Sequence, residues 1–224
     1  MIQHVYIRSK LSGLLDEVWI ATCDRVIADA AESFGAPSIM TSDVHVRATD
    51  RVAEAALEIK ADVYVMIQGD EPMIVPEMVT AAVEPMLQDQ AVVCTNLMSP
   101  IRSIDEFESP NTIKVVTDAA SNALYFSREP IPTKRQLSFP RIQAHKQVCI
   151  IPFRRDFLKV FAALKPTDLE QAESIDMLRA LEHGYKVRMV LSDHPTQSVD
   201  TPEDLTYVER MMEGDEITKQ YERI

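Results

Sequence analysis

Glycine is scarce in this chain: its 224 residues include 5, and none is grouped into a loop that could wrap a phosphate. The glycine-rich openings of dinucleotide- and triphosphate-binding folds are therefore not found in it. Positive charge is short as well, with 23 lysines and arginines against 35 aspartates and glutamates and a formal net charge of −12 at pH 7. No basic stretch offers itself to a phosphate backbone, which argues against nucleic acid as a partner. A small anionic ligand would need local basic residues and a metal ion to offset this field. The 3 cysteines, Cys23, Cys94 and Cys149, match neither a zinc pattern nor a disulfide framework, and read as reduced packing residues. No apolar run approaches membrane-spanning length, and the first ten residues lack the apolar core of a signal peptide. A cytoplasmic protein without membrane insertion is expected.

What is present is an apolar share of 46%, enough for a substantial core in one domain over residues 1–224 with an elaboration. Strand and helix patterns alternate, which predicts an α/β fold with a mainly parallel sheet and helices on its faces. Residues 2–11 read as a helix, 17–22 as a buried strand, and 25–34 as a helix capped by Asp24 and stopped by Gly35. A short strand at 38–40 precedes a helix that Thr49 or Asp50 would cap and that runs to Ile59, with Ala53, Ala56 and Leu57 on its apolar side. Strand 63–67, a helix from Pro76 to Gln88 and a strand at 91–96 follow. Residues 113–117 and 123–127 suggest a hairpin, a departure from strict alternation. Three prolines and mixed charges make 129–145 read as a mobile loop. A strand at 148–153, helices at 155–163 and 171–183, a strand at 187–191 and a helix from Pro202 to about Met212 complete the pattern, with a fraying acidic tail. The pattern opens on a helix, whereas nucleotide-binding α/β folds open on a strand and phosphate loop. Either the fold is of another kind or its first unit is missing.

The most informative segment is Tyr64-Val65-Met66-Ile67-Gln68-Gly69-Asp70-Glu71-Pro72-Met73. An apolar strand ending in amide, glycine and two carboxylates delivers an acid to the carboxyl edge of a sheet, where α/β folds bind ligands. Asp70, just past a glycine that lets a ligand approach the backbone, suits a magnesium ion carrying phosphates, or else an ordinary acidic turn. Asp200, before Thr201 and Pro202, reads as a helix cap that could also share the ion with Asp70. Thr49 and Arg51, entering a helix, would favour an anionic ligand, or only cap and solvate it. Arg128, beyond the aromatic strand Ala123-Leu124-Tyr125-Phe126-Ser127, has the planar fork for a carboxylate, with Asn111 and Lys114 as weaker candidates on the neighbouring strand. The acids Glu170, Glu173 and Asp176 would share one helix face, with Glu173 or Asp176 paired to Arg179.

Taken in order, M-I-Q-H-V-Y, T-D-R-V-A-E, I-Q-G-D-E-P-M-I, N-T-I-K-V-V-T-D, A-L-Y-F-S-R-E-P-I-P and V-D-T-P-E-D-L closely resemble the CMP-Kdo synthetases. These are the 3-deoxy-manno-octulosonate cytidylyltransferases of bacterial lipopolysaccharide synthesis, and the resemblance runs from Met1 to about Met212. It implies a nucleotide-binding sheet of the Rossmann-like, glycosyltransferase-A-like kind, with about 111–160 forming an inserted hairpin region for a homodimer. It also implies transfer of CMP from CTP to a 2-keto-3-deoxy sugar acid, with Mg2+ on Asp70 and Asp200. Gln68 would touch the sugar acid, Arg128 its carboxylate, and Thr49–Arg51 the nucleotide. Metal and positioning can carry such a transfer without a protein nucleophile.

Departures from the family pattern shape the expectation further. Family members open on a strand and a loop of the form A-R-x-x-S-x-R-L-P-x-K, then G-K-P-M-I, and this chain starts at that Met-Ile, so a longer native product is expected. The family's H-x-S-G-T reads His45-Val46-Arg47-Ala48-Thr49. The His, Tyr, Glu and Gln that family members turn toward the sugar read Gln147, Ile151, Asp176 and Met177. A pocket that has lost those donors should reject a fully hydroxylated sugar, so the expected substrate is a related, less hydroxylated or substituted ulosonic acid, with Kdo second. The alternatives are a non-catalytic dimeric relative and a nucleotidyltransferase for another base or a sugar phosphate.

Overall fold

The computed structural model describes residues 1–136, 139 and 141–221. Its chain divides into two compact units: residues 1–61, 66–80 and 194–224 form the first, and residues 62–65 and 81–193 the second.

The first unit opens with α1 (Ile2–Lys10), β1 (Ile20–Thr22), α2 (Arg25–Ser33), β2 (Ser38–Met40) and α3 (Ala48–Ala55). Strands β1 and β2 pair in parallel, Ile20 opposite Ser38 and Thr22 opposite Met40. Tyr6, Ile20, Ala31 and Ala36 form a core cluster, with Ile2, Ile7, Val18 and Phe34 packed on it. Asp24 caps α2 as expected, its carboxylate accepting from the Val26 N–H at 2.8 Å. Gly35 ends that helix at φ +73°, where a side chain would be strained. Strand β1 is shorter than the expected 17–22, and Trp19 is exposed. Helix α3 departs more. It starts two or three residues earlier, with Arg47 at its N-cap and no side-chain cap bond, and ends at Ala55. Thr49 therefore lies inside the helix rather than capping it, Ala55 is buried, and Leu57 on the expected apolar side is exposed.

Next come β3 (Val63–Ile67), α4 (Pro76–Gln88), β4 (Thr95–Pro100), α5 (Ile104–Glu108), β5 (Lys114–Thr117), β6 (Ala123–Ser127), β7 (His145–Val148) and β8 (Ile150–Arg154). Then α6 (Arg155–Ala163), α7 (Asp168–Glu173), α8 (Met177–Glu182), β9 (Arg188–Leu191), α9 (Pro202–Met212) and α10 (Thr218–Tyr221) close the chain. The second unit carries a five-stranded sheet in the order β6-β5-β7-β4-β9. The expected hairpin is there, with β5 and β6 antiparallel and Val115 opposite Phe126. Pairing is antiparallel from β6 through β5 and β7 to β4, and parallel between β4 and β9. The α/β class holds, and within this sheet the parallel part is confined to one pair. Phe153, Phe157, Phe161 and Tyr185 of this unit form an aromatic cluster, with Phe153 stacked on Phe157 and the tilted Phe157 and Tyr185 rings 5.0 Å apart between centroids.

Three boundaries shift. The strand expected at 91–96 is β4, from Thr95, and the one expected at 148–153 is two strands broken at Cys149. The helix expected at 171–183 is α7 and α8, because Ser174 turns left-handed (φ 57°, ψ 45°) and stops the first. The described residues between β6 and β7 form no helix or strand. Residues 137, 138 and 140 of the expected loop, and 222–224 of the expected fraying tail, lie outside the described residues. No helix among the described residues is long and apolar enough to cross a membrane.

Candidate active site

The first unit holds the turn Gln68-Gly69-Asp70-Glu71 that follows β3, where the Glu71 N–H donates to the Gln68 carbonyl at 3.3 Å. Gly69 leaves space, but Ile2 has taken it: a Cβ there would stand 3.1 Å from Ile2 Cδ1. The room expected for a ligand on the backbone is filled by α1. Glu71 is buried and accepts from the Thr196 hydroxyl at 3.0 Å. The Val199 N–H donates to the Asp70 carbonyl at 2.9 Å, which lashes the segment leading to Asp200 onto this turn.

Asp200 is not the cap of α9. Thr201 is, in a reciprocal capping box in which its hydroxyl accepts from the Asp204 N–H and the Asp204 carboxylate accepts from the Thr201 N–H. Thr201, backed by Asp204, does what Asp200 was expected to do, so the exposed Asp200 carboxylate keeps only a 3.3 Å bond from the Ser198 hydroxyl among those resolved. Asp70 contrasts with it. Its Oδ1 is buried and accepts no hydrogen bond. Burial pushes the Asp70 carboxyl above the ordinary range, its own backbone N–H pulls it down, and the charge of Asp200 pushes it up again. A buried carboxylate oxygen without a partner, facing a second carboxylate, is a site that a cation would satisfy. Among the described residues no three His, Cys, Asp or Glu side chains gather as a metal cage. Two carboxylates are instead the donor set of a hard ion that keeps water and phosphate oxygens as its other ligands.

Beside this turn the unit presents the loop between β2 and α3. Arg51 donates to the Thr41 hydroxyl and to the Ser42 carbonyl. Glu54 accepts from the Ser42 N–H at 3.0 Å and pairs with His45, and these bonds, His45 foremost, hold its carboxyl below the ordinary range. Glu54 escaped the sequence reading, although its spacing of three residues from Arg51 on α3 puts both on one face. Thr49 is 0% exposed, its hydroxyl turned onto Met66 Sδ at 3.7 Å, so of the expected nucleotide pair only Arg51 has its side chain at the loop.

The second unit gathers the residues expected for the sugar acid. Arg128 is half-buried, and its guanidinium donates to the carbonyls of Glu173 (2.7 Å), Pro110 (2.9 Å) and Ser174 (3.4 Å). Five donors less three leave N–H groups for a further acceptor. Glu173 takes the Arg128 N–H at 2.8 Å, the Ser127 hydroxyl at 2.9 Å and the Tyr125 hydroxyl at 3.1 Å. Burial pushes the Glu173 carboxyl up, but those donors and the Arg128 charge outweigh it and hold it low. Lys114 is fully buried and donates to the carbonyls of Ser109, Thr112 and Arg128, so it staples the backbone instead of meeting a ligand. The expected acid stripe does not form. The break at Ser174 sends Glu173 to Arg128, while the buried Glu170 pairs with Arg179 at 2.6 Å.

Gln147 donates its amide to Asn96 Oδ1 at 2.6 Å, and Asn96 donates onward to the Val148 carbonyl. Ile151 and Met177 are fully buried apolar side chains, and Asp176, at the start of α8, is half-buried.

Comparison with known proteins follows this geometry. Residues 1–189 match the family model described as cytidylyltransferase. The chain is 43% identical over 217 residues to the 3-deoxy-manno-octulosonate cytidylyltransferase of Geobacter metallireducens, covering 93% of this chain and 85% of that protein. It is 44% identical over 217 residues to the enzyme of the same name from Geobacter sulfurreducens, covering 93% and 87%. Its fold matches a solved structure of CMP:2-keto-3-deoxy-manno-octonic acid synthetase complexed with CTP at a TM-score of 0.86 and 38% identity, over 95% of this chain and 87% of that one.

Proposed function

The chain belongs to the cytidylyltransferase family, and from that premise we propose that it joins CTP to a 3-deoxy-2-ulosonic acid, giving a CMP-sugar and pyrophosphate. The observation that carries the reading is the partnerless buried oxygen of Asp70 beside Asp200. These two acids would hold Mg2+, which when bound offsets phosphate charge that a chain of net charge −12 would otherwise repel. Arg51 and its loop face the nucleotide. Gln68, at the start of the acidic turn, meets the sugar acid. Arg128 turns its remaining N–H groups to the sugar carboxylate, and its backbone is fixed by Glu173 and Lys114 so that little freedom is lost on binding. The anomeric oxygen attacks the α-phosphorus in line, a P–O bond to pyrophosphate breaks, and the hydroxyl proton passes to solvent. No side chain need form a bond to substrate, since positioning and charge do the chemistry.

Which ulosonic acid is taken follows from Gln147, Ile151, Asp176 and Met177. One N–H of the Gln147 amide is committed to Asn96, and Ile151 and Met177 offer no donor, so a fully hydroxylated sugar would find fewer partners for its hydroxyls here. An analogue lacking or carrying a substituent on one hydroxyl should show a kcat/KM about tenfold or more above that of Kdo. Release of pyrophosphate with each sugar and CTP tests this. Kdo turned over as fast as every analogue would assign Kdo itself, and no turnover with any ulosonic acid would overturn the cytidylyltransferase reading. The same activity would draw on CTP in the cytoplasm and serve synthesis of a cell-surface polysaccharide. A homodimer formed through about 111–160 would cover Leu124, which is 62% exposed on the sheet-edge strand β6.

A further inference from the structure

We propose that the C-terminal segment, residues 213–221, is a positioning element for the Asp70–Asp200 acid pair, and that it acts through Arg8. This inference rests on the metal reading of that pair. The segment lies beyond the residues 1–189 matched by the family model.

Arg8, on α1, is the largest fully buried side chain in the chain. Its guanidinium pairs with Asp215 and donates to the Thr218 hydroxyl at 2.8 Å and the Tyr221 hydroxyl at 3.2 Å, all on the C-terminal segment. The remaining resolved bond goes elsewhere, to the Ile74 carbonyl at 3.1 Å. Ile74 closes the acidic turn: its N–H donates to the Glu71 carbonyl, and the Glu71 N–H donates to the Gln68 carbonyl, with Asp70 between them. The turn is therefore gripped twice, by the 196–199 segment at Asp70 and Glu71 and by Arg8 at its far end.

The segment is built to keep that fork still. Asp215 accepts from the N–H (2.7 Å) and hydroxyl (2.9 Å) of Thr218 as well as from Arg8. Burial pushes the Asp215 carboxyl up, but these partners hold it below its ordinary range. Tyr221 in turn meets His4 Nδ1 at 2.8 Å, one helical turn before Arg8. Only a guanidinium has the geometry to bridge carboxylate, two hydroxyls and a carbonyl at once, and lysine cannot span all four. Without the segment, Arg8 would be a buried cation with a single carbonyl, and it would leave Ile74 to find other partners.

The test compares the full chain, a chain ending at Met212, Arg8→Lys, Tyr221→Phe and Asp70→Asn in thermal melts across a Mg2+ titration at fixed CTP, with steady-state kinetics on each. Groups that orient metal ligands from behind are worth about 10–100-fold in metal affinity. Arg8→Lys and the shortened chain should therefore need about tenfold more Mg2+ for half of the thermal shift, with the KM for CTP at saturating Mg2+ little changed. A role in stability alone would lower the melting temperature equally with and without Mg2+ and leave the half-saturation point where it was, which overturns the proposal. Arg8→Lys keeps the charge and the Asp215 pair, so it remains decisive if the shortened chain does not fold. If Mg2+ stabilises the full chain and Asp70→Asn abolishes this while Arg8→Lys titrates like the wild type, only the positioning proposal fails. If Asp70→Asn leaves the Mg2+ shift intact, the metal reading fails and this inference falls with it.

Discussion

Asp70→Asn should abolish magnesium-dependent turnover, lowering kcat by about 10³-fold or more, and at the same time make the metal-free protein more stable. Both results follow from one observation. Asp70 Oδ1 is buried without a hydrogen-bond partner, and Asp200 raises the energy of its charge further. An amide removes the charge, so the turn sheds the burial cost of an ionised group and its repulsion from Asp200, and the melting temperature rises. The same change would remove one of the two carboxylates proposed to hold Mg2+, an ion that can supply several kcal/mol of charge stabilisation in such reactions. Asp200→Asn separates the two effects. It should cost turnover comparably, but Asp200 is exposed, so the gain in stability comes only from relieving Asp70. A less stable Asp70→Asn protein would show that Oδ1 makes a bond that matters to the fold, and unchanged turnover would place the ion elsewhere.

The sign of the pH dependence follows from the same group. The folded-state pKa of Asp70 is raised, so the native protein takes up its proton before the unfolded chain does. Its unfavourable contribution at neutral pH is relieved as pH falls through that raised value, and it vanishes below the unfolded value of about 3.9. Magnesium held by Asp70, as proposed, would compete with that proton, so the Mg2+ needed for half-maximal rate should climb as pH drops, beginning above the usual aspartate range. Glu173 and Asp215 act the opposite way. Their carboxyls are held low, so the stability they add is present above their unfolded values and is lost only as pH falls through the lowered ones.

Much of this was legible because local chemistry decides it. The acidic turn after β3, the Asp24 cap, the β5–β6 hairpin and the Pro202 helix start each depend on a few adjacent residues. What was not legible depends on partners far along the chain. The sequence does not say that Thr201 will take the cap and release Asp200, because both are good caps and only the reciprocal bond with Asp204 separates them. The continuous pattern of 171–183 hides a break that Ser174 makes in a left-handed conformation, a position where glycine would have announced it. Lys114 looked like a ligand-facing cation because sequence cannot show that its three carbonyl acceptors close around it. The C-terminal tail read as a fraying end because the buried guanidinium it satisfies lies more than 200 residues earlier.

The Ser174 break also locates the substitution with the largest expected effect on stability. Glu170→Ala should destabilise the protein by about 3–5 kcal/mol, the usual result of removing one partner from a buried ion pair. Glu170 is 1% exposed and Arg179 3%, and two bonds of 2.8 and 2.6 Å join them. Arg179 also lies over the Phe161 ring, 4.8 Å from its centroid, so removing Glu170 leaves its charge buried against an aromatic face. Glu170 does a second job, accepting from the Thr167 N–H as the third residue of the α7 capping box, and glutamine at this position should retain part of that while losing the charge. Glu170→Gln should therefore fall between wild type and Glu170→Ala, and a double replacement of Glu170 and Arg179 by methionine should recover most of the loss. Urea unfolding of the four proteins makes the comparison, and a double change as costly as Glu170→Ala would rule out the buried Arg179 charge as the cause. The consequence for function is selective. The corner held by this pair supplies the Glu173 and Ser174 carbonyls that fix Arg128, whereas Asp70 and Asp200 belong to the other unit. In folded Glu170→Gln protein the KM for the sugar acid should rise while the Mg2+ half-saturation stays put, so metal affinity and sugar-acid affinity should be separable by mutation.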